Sequence, residues 1–163
     1  MEYIGASITT TVLSSLIGKQ LMTQAISDAS GSIYTNVSTI FNYNSKIDET
    51  LNLLDIKEKI KIIEEITKNI TVTNKLIDSC IMSIHDIIIH IREDLKLINI
   101  KIKQHKQKYL CNWRKLDCGK LLFNLRMHSS ILDKRLENLT KSINIINFFV
   151  DCKKINKIKI KKE

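Results

Sequence analysis

The sequence predicts an all-α protein, an antiparallel bundle of four to five long amphipathic helices over residues 1–150, followed by a basic tail over 151–163. Three observations lead there. The 163 residues contain no proline and four glycines, so few positions oblige a long helix to stop. Apolar residues recur at steps of three and four along most of the chain. Two long stretches hold a strict 3.5-residue repeat, the pattern of helices that pack lengthwise on one another.

The first segment spans about Tyr3 to Tyr43, with apolar residues at Ile4, Ile8, Val12, Leu16, Leu21, Ile26, Ile33, Val37 and Ile40. Its other face carries Ser, Thr, Gln and Asn in place of charge. Gly18 and Gly31 are the candidate breaks, and the Ser30-Gly31-Ser32 step is the better of the two. The second segment, about Lys46 to Ile70, is one amphipathic helix striped by Ile47, Leu51, Leu54, Ile56, Ile60, Ile63 and Ile70. Asp55 with Lys59 and Glu64 with Lys68 stand in the favourable acid-before-base order at four-residue spacing. A turn is placed at Thr71–Asn74.

The third segment, about Asn74 to Lys108, is the most regular: Ile77, Ile81, Ile84, Ile88, Ile91, Leu95, Ile98 and Ile102 alternate steps of four and three. The fourth repeats the alternation through Cys118, Leu122, Leu125, Ser129, Leu132, Leu136, Leu139, Ile143, Ile146 and Val150, with Asp117 as its N-cap. The short polar joint from Gln104 to Leu116 makes the two antiparallel neighbours. After Asp151 lysine and isoleucine alternate, as a frayed helical end or a disordered basic tail.

The net charge of +9 belongs to the second half of the chain; residues 151–163 alone hold six lysines against two acids. Heavy use of isoleucine, lysine and asparagine reflects an AT-rich coding sequence as much as selection for charge. Four cysteines are too few for a disulfide scaffold, and no secretory signal precedes them, so an intracellular, cytoplasmic and peripheral-membrane setting is expected. No apolar run is long enough to span a bilayer. His85 and His90 are five apart and do not form a zinc pair, though His90 and Asp94, four apart, are spaced to hydrogen-bond. Cys111 and Cys118 lack the spacing of a zinc knuckle, and Cys80 and Cys118 read as small buried hydrophobes. No phosphate-binding loop, nucleophile elbow or paired catalytic carboxylates occur. The expectation is a protein that is not an enzyme, with no cofactor, no metal and no small-molecule substrate.

Three features point to partners. Ile4, Ile8, Val12 and Leu16 give the first helix a weakly polar surface suited to insertion at a membrane interface. Lys153, Lys154, Lys157 and Lys159 suit anionic lipid headgroups. Lys106, Lys108, Tyr109, Trp113 and Arg114, basic groups interleaved with aromatics, suit nucleic acid.

The order "EYIGASITTTVLSSLIGKQL", then a Leu/Ile-striped helix, then "KLIDSCIMSIHDIIIHI", then "WRKLDCGKLLFNLRMHSSILDKRLENL" resembles the HeLo-type four-helix domains of cell-death effectors and related signalling proteins. The resemblance covers residues 1–150. It implies a bundle that oligomerises and perturbs membranes after release of its N-terminal helix. The chain departs from that pattern in carrying no effector or sensor domain after the bundle, so it is expected to act alone or to compete with a longer homologue. The leading expectation is therefore helix-mediated association, with itself or a protein partner, at an anionic membrane. A nucleic-acid-associated protein and a structural scaffold are the alternatives.

Overall fold

The computed structural model describes the backbone of residues 3–70, 74–108 and 115–160, and the side chains of 18–70, 74–108 and 115–152. Among them are five helices and no strand: α1 (Tyr3–Ile40), α2 (Ser45–Leu54), α3 (Ile56–Asn69), α4 (Lys75–Lys106) and α5 (Gly119–Ile160). The all-α bundle is as the periodicity predicts.

Helix α4 is the centre. All eight residues of its predicted stripe are buried, from Ile77 to Ile102, and Ile87 joins them. Asn74 starts it by accepting the Leu76 N–H on its side chain at 2.8 Å. The α4–α5 pair is antiparallel, as expected: Asp94 meets His128 and Cys80 meets Ser142, partners that move apart in sequence along the pair. Helix α1 runs parallel to α4, with Asn36 on Asn99 and Tyr43 on His105. Helix α3 descends between α1 and α5, joined to them by Tyr34–Glu64 and Lys59–Asp133. With α2 and α3 counted as one arm, the chain goes up, down, up, down.

Two boundaries differ from the sequence reading. Helix α1 does not break at Ser30-Gly31-Ser32; it is continuous over 38 residues. Ser30 is buried and its hydroxyl donates to the Ile26 carbonyl at 2.7 Å, so its polar atom is satisfied inside the helix. No positive φ occurs at any described glycine, and Gly31 has open space around it, so nothing there requires a turn. The second segment, by contrast, is two helices. Asp55 adopts the left-handed conformation (φ 46°, ψ 40°), ending α2 and opening α3. The buried positions step from Leu51 to Ile56, five residues, and the left-handed residue absorbs the phase change that an unbroken helix cannot. The two predicted pairs along this segment give way to contacts between helices: the Lys59 ammonium reaches Asp133 at 2.8 Å, and Glu64 accepts from the Tyr34 hydroxyl at 3.0 Å.

Asp tolerates the left-handed region better than most residues, and Gly adopts it freely. Asp55→Gly is expected to leave stability unchanged or raise it slightly. Asp55→Val is expected to cost about 1–2 kcal/mol, because a β-branched side chain is strained at positive φ. Urea denaturation of the two variants checks this.

The tip of the α4–α5 hairpin between 109 and 114 and the α3–α4 joint at 71–73 lie outside the described residues, so the turn predicted at 71–74 is seen only in its last residue, the Asn74 cap. Asp117 caps α5 from its side chain, accepting the Gly119 N–H at 3.1 Å. At the far end α5 continues as helix through Asp151 to Ile160, so residues 151–160 are a helical extension with no break from the bundle.

Lengths decide what the fold exposes. At 1.5 Å per residue α4 is about 48 Å long, α1 about 57 Å and α5 about 63 Å. Gly18 and Met22 of α1 stand level with Asp78 and Ile81, near the start of α4, and the Tyr3–Ile17 stretch precedes them. Ile146 and Asn147 of α5 stand level with Ile70 and Ile77, where α3 has ended and α4 has just begun. Both long helices therefore carry on where the two shorter ones stop, α1 with its N-terminal part and α5 with its C-terminal part.

Candidate functional site

The end where α3 stops and α4 starts is the first candidate. The predicted stripe of α5 is buried at Leu122, Leu125, Ser129, Leu132 and Leu139, half-buried at Leu136, Ile143 and Ile146, and exposed at Val150. The stripe fades because its partners end, not because its own pattern changes. Beyond Asn147 the exposed apolar residues are Phe148 (66%), Phe149 (59%) and Val150 (39%), with Ile145 exposed on the turn before. The Phe148 and Phe149 rings meet edge to face at 6.0 Å. The backbone of Lys153, Lys154, Lys157 and Lys159 lies in this helical extension; their side chains are outside the described residues. The same holds for Ile4, Ile8, Val12 and Leu16, whose backbone lies in α1.

The opposite end is the second candidate. Of the residues proposed for nucleic acid, Tyr109, Trp113 and Arg114 lie outside the described residues. Lys108 is exposed. The Lys106 ammonium sits 4.9 Å from the centre of the Tyr43 ring, an intramolecular cation–π contact. The Tyr43 hydroxyl in turn lies 2.8 Å from Nδ1 of His105. Lys101, Lys103, Lys115 and Lys120 are exposed around the same tip.

An open cleft of about 660 Å³ lies there, lined by Tyr43, Lys46, His105, Lys115, Asp117 and Cys118 among others. It brings a thiol, an imidazole and a carboxylate into one place. Burial pushes the Cys118 thiol above its ordinary value, against the opposing pull of Lys101. An activated cysteine needs the reverse shift. The Asp117 carboxylate is engaged as the cap of α5. Among the described residues no group of three or more His, Cys, Asp or Glu is placed to hold a metal ion. No helix of the described residues is long and apolar enough to cross a membrane.

Between the two ends the bundle contains polar contacts that sequence reasoning missed. Asp94 is 6% exposed and receives His128, Nδ1 to Oδ2, at 2.6 Å. His90 does not take the Asp94 carboxylate that its spacing offered; it stacks on His128 at 5.2 Å. Asn99 is buried and donates to Asn36 at 3.1 Å. Arg126 donates to the buried Thr50 hydroxyl, and Arg135 to the Ser83 carbonyl. Each joins residues far apart in sequence, so no local spacing signals it. Such contacts fix which residue of one helix faces which of the next.

Tyr34 shows what one of them does to an ionisation. Burial first, then its hydrogen bond to Glu64, raises its pKa from 10.0 to about 12. Below pH 10 the phenol is protonated in folded and unfolded chains alike. Between pH 10 and about 12 only the unfolded chain loses the proton, so stability falls across that window. Tyr34→Phe is expected to be less sensitive to alkali between pH 9.5 and 11.5 than the parent chain, as read by denaturation midpoints at each pH.

No family model matches the chain, and no solved structure matches it. It is similar to an uncharacterized protein of Acanthamoeba polyphaga mimivirus, 27% identical over an alignment that covers 91% of this chain and 84% of that protein. The chain thus has a viral relative of nearly the same extent.

Proposed function

We propose that this chain is a non-enzymatic helical-bundle protein that works by helix-mediated association at an anionic membrane surface. The observation that carries the reading is the pair of helical extensions where the bundle core runs out. The α1 extension is weakly polar, with a single charged residue, Glu2, in the first eighteen positions; the α5 extension is rich in lysine. A helix of the first kind suits a membrane interface, and one of the second kind is drawn to anionic headgroups. The likeness to HeLo-type domains supports the same reading and extends it to signalling or the control of cell death, with self-association or a protein partner.

The reading is tested by co-sedimentation with anionic and with neutral vesicles, at low and at physiological salt, for the parent chain and a deletion of residues 1–20. Binding that needs both the anionic lipid and the first twenty residues supports it. Absence of binding at physiological salt overturns it.

A second reading rests on the exposed Lys101, Lys103, Lys108, Lys115 and Lys120 at the other end, which suit a polyanion such as nucleic acid. It is weaker because Lys106, one of its central residues, is engaged by Tyr43. Salt-sensitive retention on single-stranded nucleic acid, with no vesicle binding, would favour it. Failure of both assays would leave a structural scaffold within a larger assembly.

A further inference from the structure

The α5 extension changes its apolar face where the bundle ends. Along most of the helix the inward register is the alternation that includes Leu125, Leu132 and Leu139, all buried. Continued by the same steps of four and three, that register passes through Ile143, Ile146 and Val150 and arrives at Lys153 and Lys157. A second apolar set begins just before this change. Ile145, Phe148, Phe149 and Cys152 stand at i, i+3, i+4 and i+7, the spacing of one helical face, and Ile155 continues it in the sequence. The first three of these are exposed, and Cys152 is half-buried with a free thiol. Residues 145–152 of α5 therefore present a second apolar face, rotated relative to the one that builds the core.

We infer that Ile145, Phe148 and Phe149 form the apolar wedge of an interfacial helix that lies in the headgroup region of an anionic bilayer, with Lys153 and Lys157 holding the lipid phosphates. The inference rests on the membrane reading above and adds an apolar element of α5 to that of α1. Charge chooses the occupant. Six lysines against two acids over residues 151–163 oppose packing against the same segment of a second copy. An anionic lipid surface takes both halves of the pattern, since phenylalanine and isoleucine enter the acyl boundary while lysine stays with the headgroups. The helix is too polar to span, so it lies along the surface.

The test uses the full chain and phosphatidylcholine vesicles, with and without about a third phosphatidylserine. Phe148→Ser/Phe149→Ser is expected to partition about thirtyfold more weakly onto the phosphatidylserine vesicles. Lys153→Gln/Lys157→Gln is expected to lose about tenfold there, with no change on phosphatidylcholine alone. Phe123→Ser, an equally exposed phenylalanine (63%) on the bundle part of α5, serves as control and is expected to partition like the parent. Circular dichroism and the denaturation midpoint establish that each variant folds.

Parent-like partitioning of the Phe148/Phe149 double variant would overturn the inference and leave the membrane reading standing. Failure of the parent chain to bind either vesicle would overturn both. A parent chain that is oligomeric without lipid and becomes monomeric in the Phe148/Phe149 variant would also overturn it, assigning the face to a second copy.

Discussion

His128→Leu is expected to destabilise the bundle by about 3 kcal/mol, and Asp94→Ala/His128→Leu to recover most of that loss. The Asp94 carboxylate is buried on α4, and the His128 ring on α5 supplies its hydrogen bond. A buried carboxylate with its donor removed bears the full cost of leaving water, which is larger than the net worth of the pair. Leucine keeps the apolar body that packs near His90, so the single variant isolates the lost donor. Removing Asp94 as well takes away the stranded charge. Urea denaturation of the parent, both single variants and the double gives the coupling energy directly. Near-additive losses in the double variant would mean that the two residues stabilise the bundle independently.

The second large effect lies one residue further along α4. Leu95 is fully buried and Leu97 is 47% exposed, although both are leucines in the same helix. Leu95→Ala is expected to cost about 3 kcal/mol, from lost burial together with the cavity left in a packed core. Leu97→Ala is expected to stay within about 0.5 kcal/mol of the parent. Denaturation midpoints that moved alike would contradict the placement of α4 between α1 and α5.

The contrast shows what kind of information the sequence held. The stripe of α4 is legible because its neighbours accompany it along its whole length, so every predicted member from Ile77 to Ile102 is buried. The same reading of α5 holds as far as Leu139, with Leu136 half-buried, and fades at Ile143, Ile146 and Val150. Periodicity reports which residues share a face. It does not report where the neighbouring helix ends, and here α3 ends at Asn69 and α4 begins at Lys75.

The boundaries failed for a related reason. Glycine and serine at Ser30-Gly31-Ser32 look like a break, but small residues also suit a helix whose hydroxyls can bond back to its own carbonyls, as Ser30 does to Ile26. The real break, at Asp55, carries neither glycine nor proline. Its trace in the sequence is the two-residue step from Leu54 to Ile56 within the stripe, a step that one helical face does not accommodate. The polar contacts between helices connect residues from thirty positions apart, as Tyr34 with Glu64, to more than sixty, as Asn36 with Asn99, and leave no local trace.

For the candidate site, the sequence drew attention to the lysines after Asp151 and not to the exposed apolar residues before them. Lysines after Asp151 are conspicuous in composition. Phe148 and Phe149 lie outside the predicted stripe, and the lengths of α3 and α4 show that no core remains beside them.

The most direct test of the account is amide hydrogen exchange on the full chain, with and without anionic vesicles. If the bundle acts at a membrane through its two extensions, vesicles will add protection in residues 3–17 and 145–160 and leave the α4 core, Ile77 to Ile102, unchanged. Protection confined to the opposite tip around Lys101–Lys120, or none anywhere, would contradict it.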